Sequence, residues 1–254
     1  MSRIRLSKAA ALGCVLALLP ATAFAGGALV KVDGIVLRAD GDFQPTSLPR
    51  QRFVPIHFEG HFDIAAAGGG RPVALEQVVI DFDRDGRLDS SGLPVCQPER
   101  IADASTAEAR QACAGAIVGS GRIEALIDIG GGPVAASSPL TIFNGPRVAG
   151  NPSVVLHARI TVPSTQTYAI VVPIERRRGS SRYRATLDLP PIAAGFGSVT
   201  HVAVKVGRRF SSGGQQRSYV SGRCSIGILR THGRFSFADG TIIDGNVEKP
   251  CTPR

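Results

Sequence analysis

Residues 52–64 read RFVPIHFEGHFDI. From Ile56 onward the stretch alternates. Ile56, Phe58, Phe62 and Ile64 fall on one face, and His57, Glu59, His61 and Asp63 on the other. Successive side chains of an extended strand point to opposite faces, so this spacing predicts a strand with one buried and one wetted side. "GGG" at 68–70 ends the run. The same texture recurs in "ALEQVVIDF" (74–82) and in "GRIEALIDI" (121–129), where Ile123, Ala125, Ile127 and Ile129 keep step. It recurs again in "SVVLHARITV" (153–162), "TYAIVVPIE" (167–175), "RYRATLDLP" (182–190), "SVTHVAVKV" (198–206), "RSYVSG" (217–222) and "GRFSFADGTIIDG" (233–245). Thirty glycines and 17 prolines separate these runs and keep them short. Many short strands with regular turn signals predict an all-β, antiparallel β-sandwich. We expect one domain over residues 26–254. The alternative is two small sandwiches meeting near residue 146.

One segment departs from the pattern. "PERIADASTAEARQACAGAIVG" (98–119) predicts a short helical insertion around residues 98–118. Thr106 is the expected cap, Glu108 favours the N-terminal end, and Gly115 or Gly119 would end the helix.

The chain opens with a basic cluster, Arg3, Arg5 and Lys8, followed by an apolar run from Ala9 to Leu19. Pro20 breaks the run, and Ala23 and Ala25 place small residues before a cleavage point. These are the parts of a secretory signal peptide, residues 1–25. The run is too short for a membrane span. Cys14 lies within it and is poorly placed for a lipoprotein cleavage box. Four cysteines follow: Cys96, Cys113, Cys224 and Cys251. An even number in an exported chain predicts two disulfides. Three pairings exist; joining neighbours, Cys96–Cys113 and Cys224–Cys251, closes two modest loops. The expected location is periplasmic or extracellular.

Charge is uneven. Residues 26–149 carry 11 Lys and Arg against 15 Asp and Glu, whereas residues 150–254 carry 15 against 5. Two turns concentrate the positive charge. "ERRRGSSRYR" holds Arg176, Arg177, Arg178, Arg182 and Arg184. "GRRFSSGGQQR" holds Arg208, Arg209 and Arg217. If both turns lie at one end of the fold, their guanidinium forks suit phosphate or carboxylate groups. Export points to an anionic envelope glycopolymer as the partner rather than nucleic acid. A solvated turn that keeps strand edges apart accounts for the same residues.

"DFDRDGRLDSSG" (81–92) raises the question of a metal. Asp81, Asp83, Asp85, Gly86 and Asp89 match positions 1, 3, 5, 6 and 9 of a calcium loop, but position 12 is Gly92 where a bidentate acid belongs. The competing reading is a hairpin turn at "RDG", with Asp81, Asp83 and Asp89 in solvent. The expectation is no cofactor, with calcium at this loop as the exception to test. His57, Glu59 and His61 share a strand face and could begin a zinc site, with His157 and His201 as unplaced further ligands.

No Gly-x-Ser-x-Gly elbow occurs, and no cysteine is left free to attack. Paired carboxylates of a hydrolase can lie far apart in sequence and leave no motif. Read as an ordered set, "SGLPVC" (91–96), "ARQACAGAIVGSG" (109–121), "PLTIFNGP" (139–146), "GSVTHVAVKVGRRF" (197–210), "RSYVSGRC" (217–224) and "FSFADGT" (235–241) before Cys251 resemble a family of secreted bacterial four-cysteine, β-rich proteins of unassigned function. The resemblance spans nearly the whole mature chain. It implies export, disulfides and one folding unit, and carries over no catalytic residue. The expected function is an exported, non-catalytic binding or structural protein of the cell envelope or its surroundings. The alternatives are a secreted hydrolase of an envelope polymer and a calcium-stabilised adhesion-like module.

Overall fold

The structure is a computed structural model that describes residues 27–254. The expected signal peptide lies outside the described residues. Twelve strands build one sheet. In chain order they are β1 (Ala28–Val32), β2 (Ile35–Gln44), β3 (His57–Ala66), β4 (Leu75–Asp83), β5 (Ile117–Asp128), β6 (Pro133–Asn144), β7 (Ser153–Ile160), β8 (Gln166–Arg176), β9 (Ser181–Asp188), β10 (Gly197–Val206), β11 (Ile228–Phe237) and β12 (Ile242–Pro250). Their order across the sheet is β1, β2, β3, β10, β5, β6, β7, β8, β9, β4, β11, β12. Every neighbouring pair is antiparallel.

The all-β, antiparallel expectation holds. The layer arrangement differs from a sandwich. The sheet curls until β12 lies beside β1 and β2, which makes a nearly closed barrel. Strands on both sides of residue 146 belong to this one sheet. No ladder joins β12 to β1 or β2 themselves; the ion pair between Lys249 Nζ and Asp40 Oδ1, 2.8 Å, spans the seam, and just beyond the strand ends Thr252–Pro253 pairs in parallel with Ser47–Leu48. Phe62 meets Phe235 edge-on at 5.2 Å, and Phe58 meets Phe82 at 5.8 Å. These rings sit on strands that are not neighbours, so they touch across the interior. A sandwich makes such contacts between two sheets; here both walls belong to the same sheet.

Alternation survives in three dimensions. Ile64 is buried, and Phe58 and Phe62 face inward, while His57, Glu59 and His61 are exposed. The outer wall carries further charged pairs, such as Lys205 with Glu59 (2.5 Å) and Arg122 with Glu124 (2.6 Å). Apolar inside and charged outside is the reverse of the pattern of a membrane-spanning barrel. No described helix is long and apolar enough to cross a membrane.

The two ends are unlike. The short turns at one end close over side chains such as Ile35, Leu75, Phe235 and Phe237, with Ile127, Ile160 and Ile192 alongside. The long connections 45–56, 84–116 and 207–227 gather at the other end. There Val220–Gly222 pairs with both Val54–Pro55 and Gly86–Leu88 to form a small sheet. The Cys224–Cys251 bridge ties this cap to the end of β12. The Cys96–Cys113 bridge closes the helical insertion, which packs on Phe143 and Val155 of the outer wall. Both disulfides join neighbouring cysteines, as expected. The insertion comprises Pro98–Arg100 and Ala114–Ala116 in 3₁₀ form around a single α-helix, α1 (Thr106–Ala112). Its cap is Ser105 rather than Thr106. Ser105 accepts the Glu108 amide while the Glu108 side chain accepts the Ser105 amide, a reciprocal box that Thr106 cannot form with this Glu.

Candidate functional site

The interior contains an apolar cavity of about 370 Å³. Its wall draws on β1 to β4 and β6 to β12, including Phe58, Phe82, Ile142, Leu156, Ile174 and Val204. Many of these inward side chains are only half-buried, because they face the cavity instead of one another. Cores are normally packed with few gaps larger than a water molecule, so a cavity of this size is a built feature. Small residues create it. Gly41 pairs with Gly60, and Gly233 with Gly245, on strands flanking the seam. A side chain at Gly60 would press on the Phe58 ring, whereas one at Gly245 would meet nothing within 4 Å. Asp40, Asp244, Gly245 and Lys249 also border the cavity, so it reaches the seam.

The acidic stretch 81–89 does not form the solvent-facing hairpin. A turn does occur at Arg84–Asp85, but Gly86–Leu88 pairs with Val220–Gly222 instead of folding back on β4. The four carboxylates are engaged separately. Asp81 accepts two bonds from Arg184, at 2.8 and 2.7 Å. Asp83 accepts the amides of Asp85 and Arg230, each at 2.8 Å. Asp85 accepts Arg223 Nε and the Ser225 amide, each at 2.7 Å. Asp89 accepts Arg217 at 3.0 Å. A calcium ion drawing on this set would have to displace three arginines, and among the described residues no metal-holding group of acids, histidines or cysteines converges. The acidities agree with this pairing. The hydrogen bonds from Arg184 hold the Asp81 carboxyl below its usual range. Burial opposes ionisation of Asp85, but the Ser225 amide and Arg223 outweigh it and keep the carboxyl low.

The histidines stay apart. His201 meets Asp63 at 2.8 Å on the outer wall. His157 is fully buried beneath the insertion, with Nε2 3.1 Å from the Ala104 carbonyl. Burial lowers its affinity for a proton.

Both arginine-bearing turns leave the barrel at the capped end. Half of their guanidiniums are used internally. Arg184 pairs with Asp81 and Arg217 with Asp89. Arg208 donates to the carbonyls of Gly115 and Ile117, both at 2.7 Å. Arg182 donates to the Arg84 carbonyl and lies over the Phe53 ring at 5.1 Å. Arg176, Arg177, Arg178 and Arg209 are exposed, and none appears in a side-chain hydrogen bond or ion pair among the described residues.

Sequence reasoning missed the cavity. The available signal was the run of small residues at inward positions: Ala39, Gly41, Gly60, Ala185, Gly233 and Gly245. Alternation marks these positions as core, yet they supply too little volume to fill one.

No family model matches the chain, and no curated protein matches it. Among solved structures, the chain is similar to AvmM, which catalyses macrocyclisation in alchivemycin A biosynthesis, at 7% identity and a TM-score of 0.24. The match covers 90% of this chain and 98% of that one. A likeness this faint carries no argument about fold or activity.

Proposed function

We propose that this chain is an exported, non-catalytic binding protein that holds an apolar molecule inside its barrel. The cavity is the observation that carries the reading. The apolar walls face a space far larger than the water-sized gaps of a normal core, so they lack contacts that close packing would give them. A hydrophobic occupant restores the lost contacts. The acid–base chemistry supports a carrier over a hydrolase. Among the described residues, each carboxyl whose acidity departs from the usual value is more acidic, whereas a general acid working near neutrality needs the opposite shift. Export is supported by the leader-like start of the sequence and by the two disulfides.

Fluorescence titration with an apolar, environment-sensitive dye tests the reading. The protein should bind the dye saturably, and an added alkane should displace it. Ala185 lines the cavity, and Ala185→Trp should reduce dye affinity at least ten-fold while the circular dichroism spectrum stays β-rich. The chain has no native tryptophan, so the new indole also reports directly on the interior. Dye bound without saturation, or bound equally well by the variant, would place it on the surface and sink the carrier.

A second reading concerns the outside. The exposed side chains of Arg176, Arg177 and Arg178 on one turn favour contact with an anionic envelope glycopolymer. Retention on immobilised anionic glycan should fall steeply between low and physiological salt, where the screening length shrinks to about 8 Å. Replacing the three arginines by alanine should remove most of it. Retention that ignores salt would contradict this role.

A further inference from the structure

We infer that the occupant is an anionic amphiphile: one alkyl chain in the cavity, ending in a carboxylate or phosphate whose oxygens pair with the Arg87 guanidinium at the cavity's border. The inference rests on the carrier reading and names its ligand class. One lysine and one arginine border the cavity, Lys249 and Arg87. Lys249 is held by Asp40 at 2.8 Å. Arg87 is exposed, and its side chain enters no hydrogen bond, ion pair or cation–π contact among the described residues. The unengaged arginines of the two turns, Arg176, Arg177, Arg178 and Arg209, do not border the cavity. The main chain of Arg87 is nonetheless pinned. It lies in Gly86–Leu88, which pairs with Val220–Gly222 so that Arg87 stands opposite Ser221. On either side of this strand, the Asp85 carbonyl accepts the Arg223 amide at 3.0 Å, and the Asp89 amide donates to the Tyr219 carbonyl at 2.9 Å. The cap therefore fixes where Arg87 stands and leaves its guanidinium available.

Four acids also border the cavity, and none is paired with Arg87. Asp40 is taken by Lys249, and Asp244 lies 3.5 Å from Arg234. Asp83 accepts two main-chain amides, and Asp42 accepts the Phe43 amide at 2.7 Å. The wall is largely apolar, so a charged head deep inside it would be penalised by its desolvation. The head belongs at the border, where water reaches it and a guanidinium fork can meet two of its oxygens. A cation beside an apolar space also attracts an anion more strongly than one in open solvent, because less water screens the pair. The volume, about 370 Å³, is near the lower end for small-molecule sites and suits one chain rather than several.

Undecanoate, undecyl phosphate, undecylammonium and methyl nonyl ketone carry similar chains and differ in the head. Each should be titrated as a monomer by displacement of the dye, at neutral pH and low salt, against the wild type, Arg87→Ala, Arg87→Glu and Ala185→Trp. Arg87→Ala should weaken at least one of the two anions about ten-fold, the scale of a charge-assisted contact, and the ketone by less than about two-fold. The anion with the larger loss identifies the head group. Arg87→Glu should weaken that anion further and tighten undecylammonium. Ala185→Trp should weaken every ligand, which places the chains inside. Arg87 has no side-chain partner to lose, so its variants should melt near the wild-type temperature; Arg87→Gln replaces the charge reversal if that variant does not fold. Anions bound as tightly by Arg87→Ala as by the wild type would overturn this inference and leave the carrier standing. So would an equal loss for ketone and anions, since Arg87 would then shape the cavity without pairing. Anion binding that survives Ala185→Trp would put the ligand on the outer surface and overturn the inference too. Failure of all four ligands to bind would remove the carrier itself, and the inference with it.

Discussion

Asp85→Ala should cost about 3 kcal/mol of unfolding free energy, read as a lower urea midpoint with an unaltered slope. Asp85 is 1% exposed and lies where three parts of the capped end meet. One carboxylate oxygen accepts Arg223 Nε and the other the Ser225 amide, while the Asp85 main-chain carbonyl accepts the Arg223 amide at 3.0 Å. Arg223 also lies over the Phe53 ring at 5.0 Å. Alanine removes both acceptors at once. It strands a largely covered guanidinium and a covered amide beside the Cys224–Cys251 bridge. The cost belongs to the groups left behind more than to the ion pair itself, because a paired buried charge is roughly balanced by its own desolvation. Asp85→Asn, which keeps one acceptor oxygen, should therefore cost less than alanine. A midpoint that does not move would show that water replaces the carboxylate freely.

The same site sets a pH dependence. The folded carboxyl titrates below its unfolded value, so the native state favours the ionised form. The stabilisation is fully present above about pH 4, the unfolded value, and fades as pH falls through the lower folded value. The gap between wild type and Asp85→Ala should narrow across that acid range.

The second large effect comes from reduction. The bridges separate residues by 17 and 27 positions. Chain entropy gives each about 3 kcal/mol. Together they approach the whole stability of many domains, so the fully reduced protein should unfold at moderate temperature. The two bridges should fail differently. Replacing Cys96 and Cys113 by alanine should loosen the insertion, seen as faster amide exchange over residues 98–116, while the barrel persists. Replacing Cys224 and Cys251 should loosen the cap and destabilise β12 with it. If either double variant melted at the wild-type temperature, its bridge would be ornamental.

The alternation at 56–64 made the strands and their inward faces legible, because a period of two is a local property of extended backbone. It could not separate a sandwich from a barrel. Phe62 points to the core in either, and only the closure of β12 towards β2 distinguishes them. The disulfide framework was legible because the four mature cysteines form two close pairs along the chain. The partners of the acidic stretch were illegible for a physical reason. Spacing places Asp81, Asp83, Asp85 and Asp89 close in sequence, but Arg184, Arg217 and Arg223, their actual partners, lie 103, 128 and 138 positions away.

The seam gives the barrel an unusual economy of motion. Along its length the seam between β12 and β2 is held by an ion pair, Lys249 with Asp40, and backbone hydrogen bonds fasten it only at the capped end, where Thr252–Pro253 pairs with Ser47–Leu48. On the proposed carrier reading, a guest would pass sideways at the end of this seam away from the cap, with the fastened end left closed. Turnover of contents would quicken as ionic strength rises, since salt weakens the clasp and leaves the walls intact.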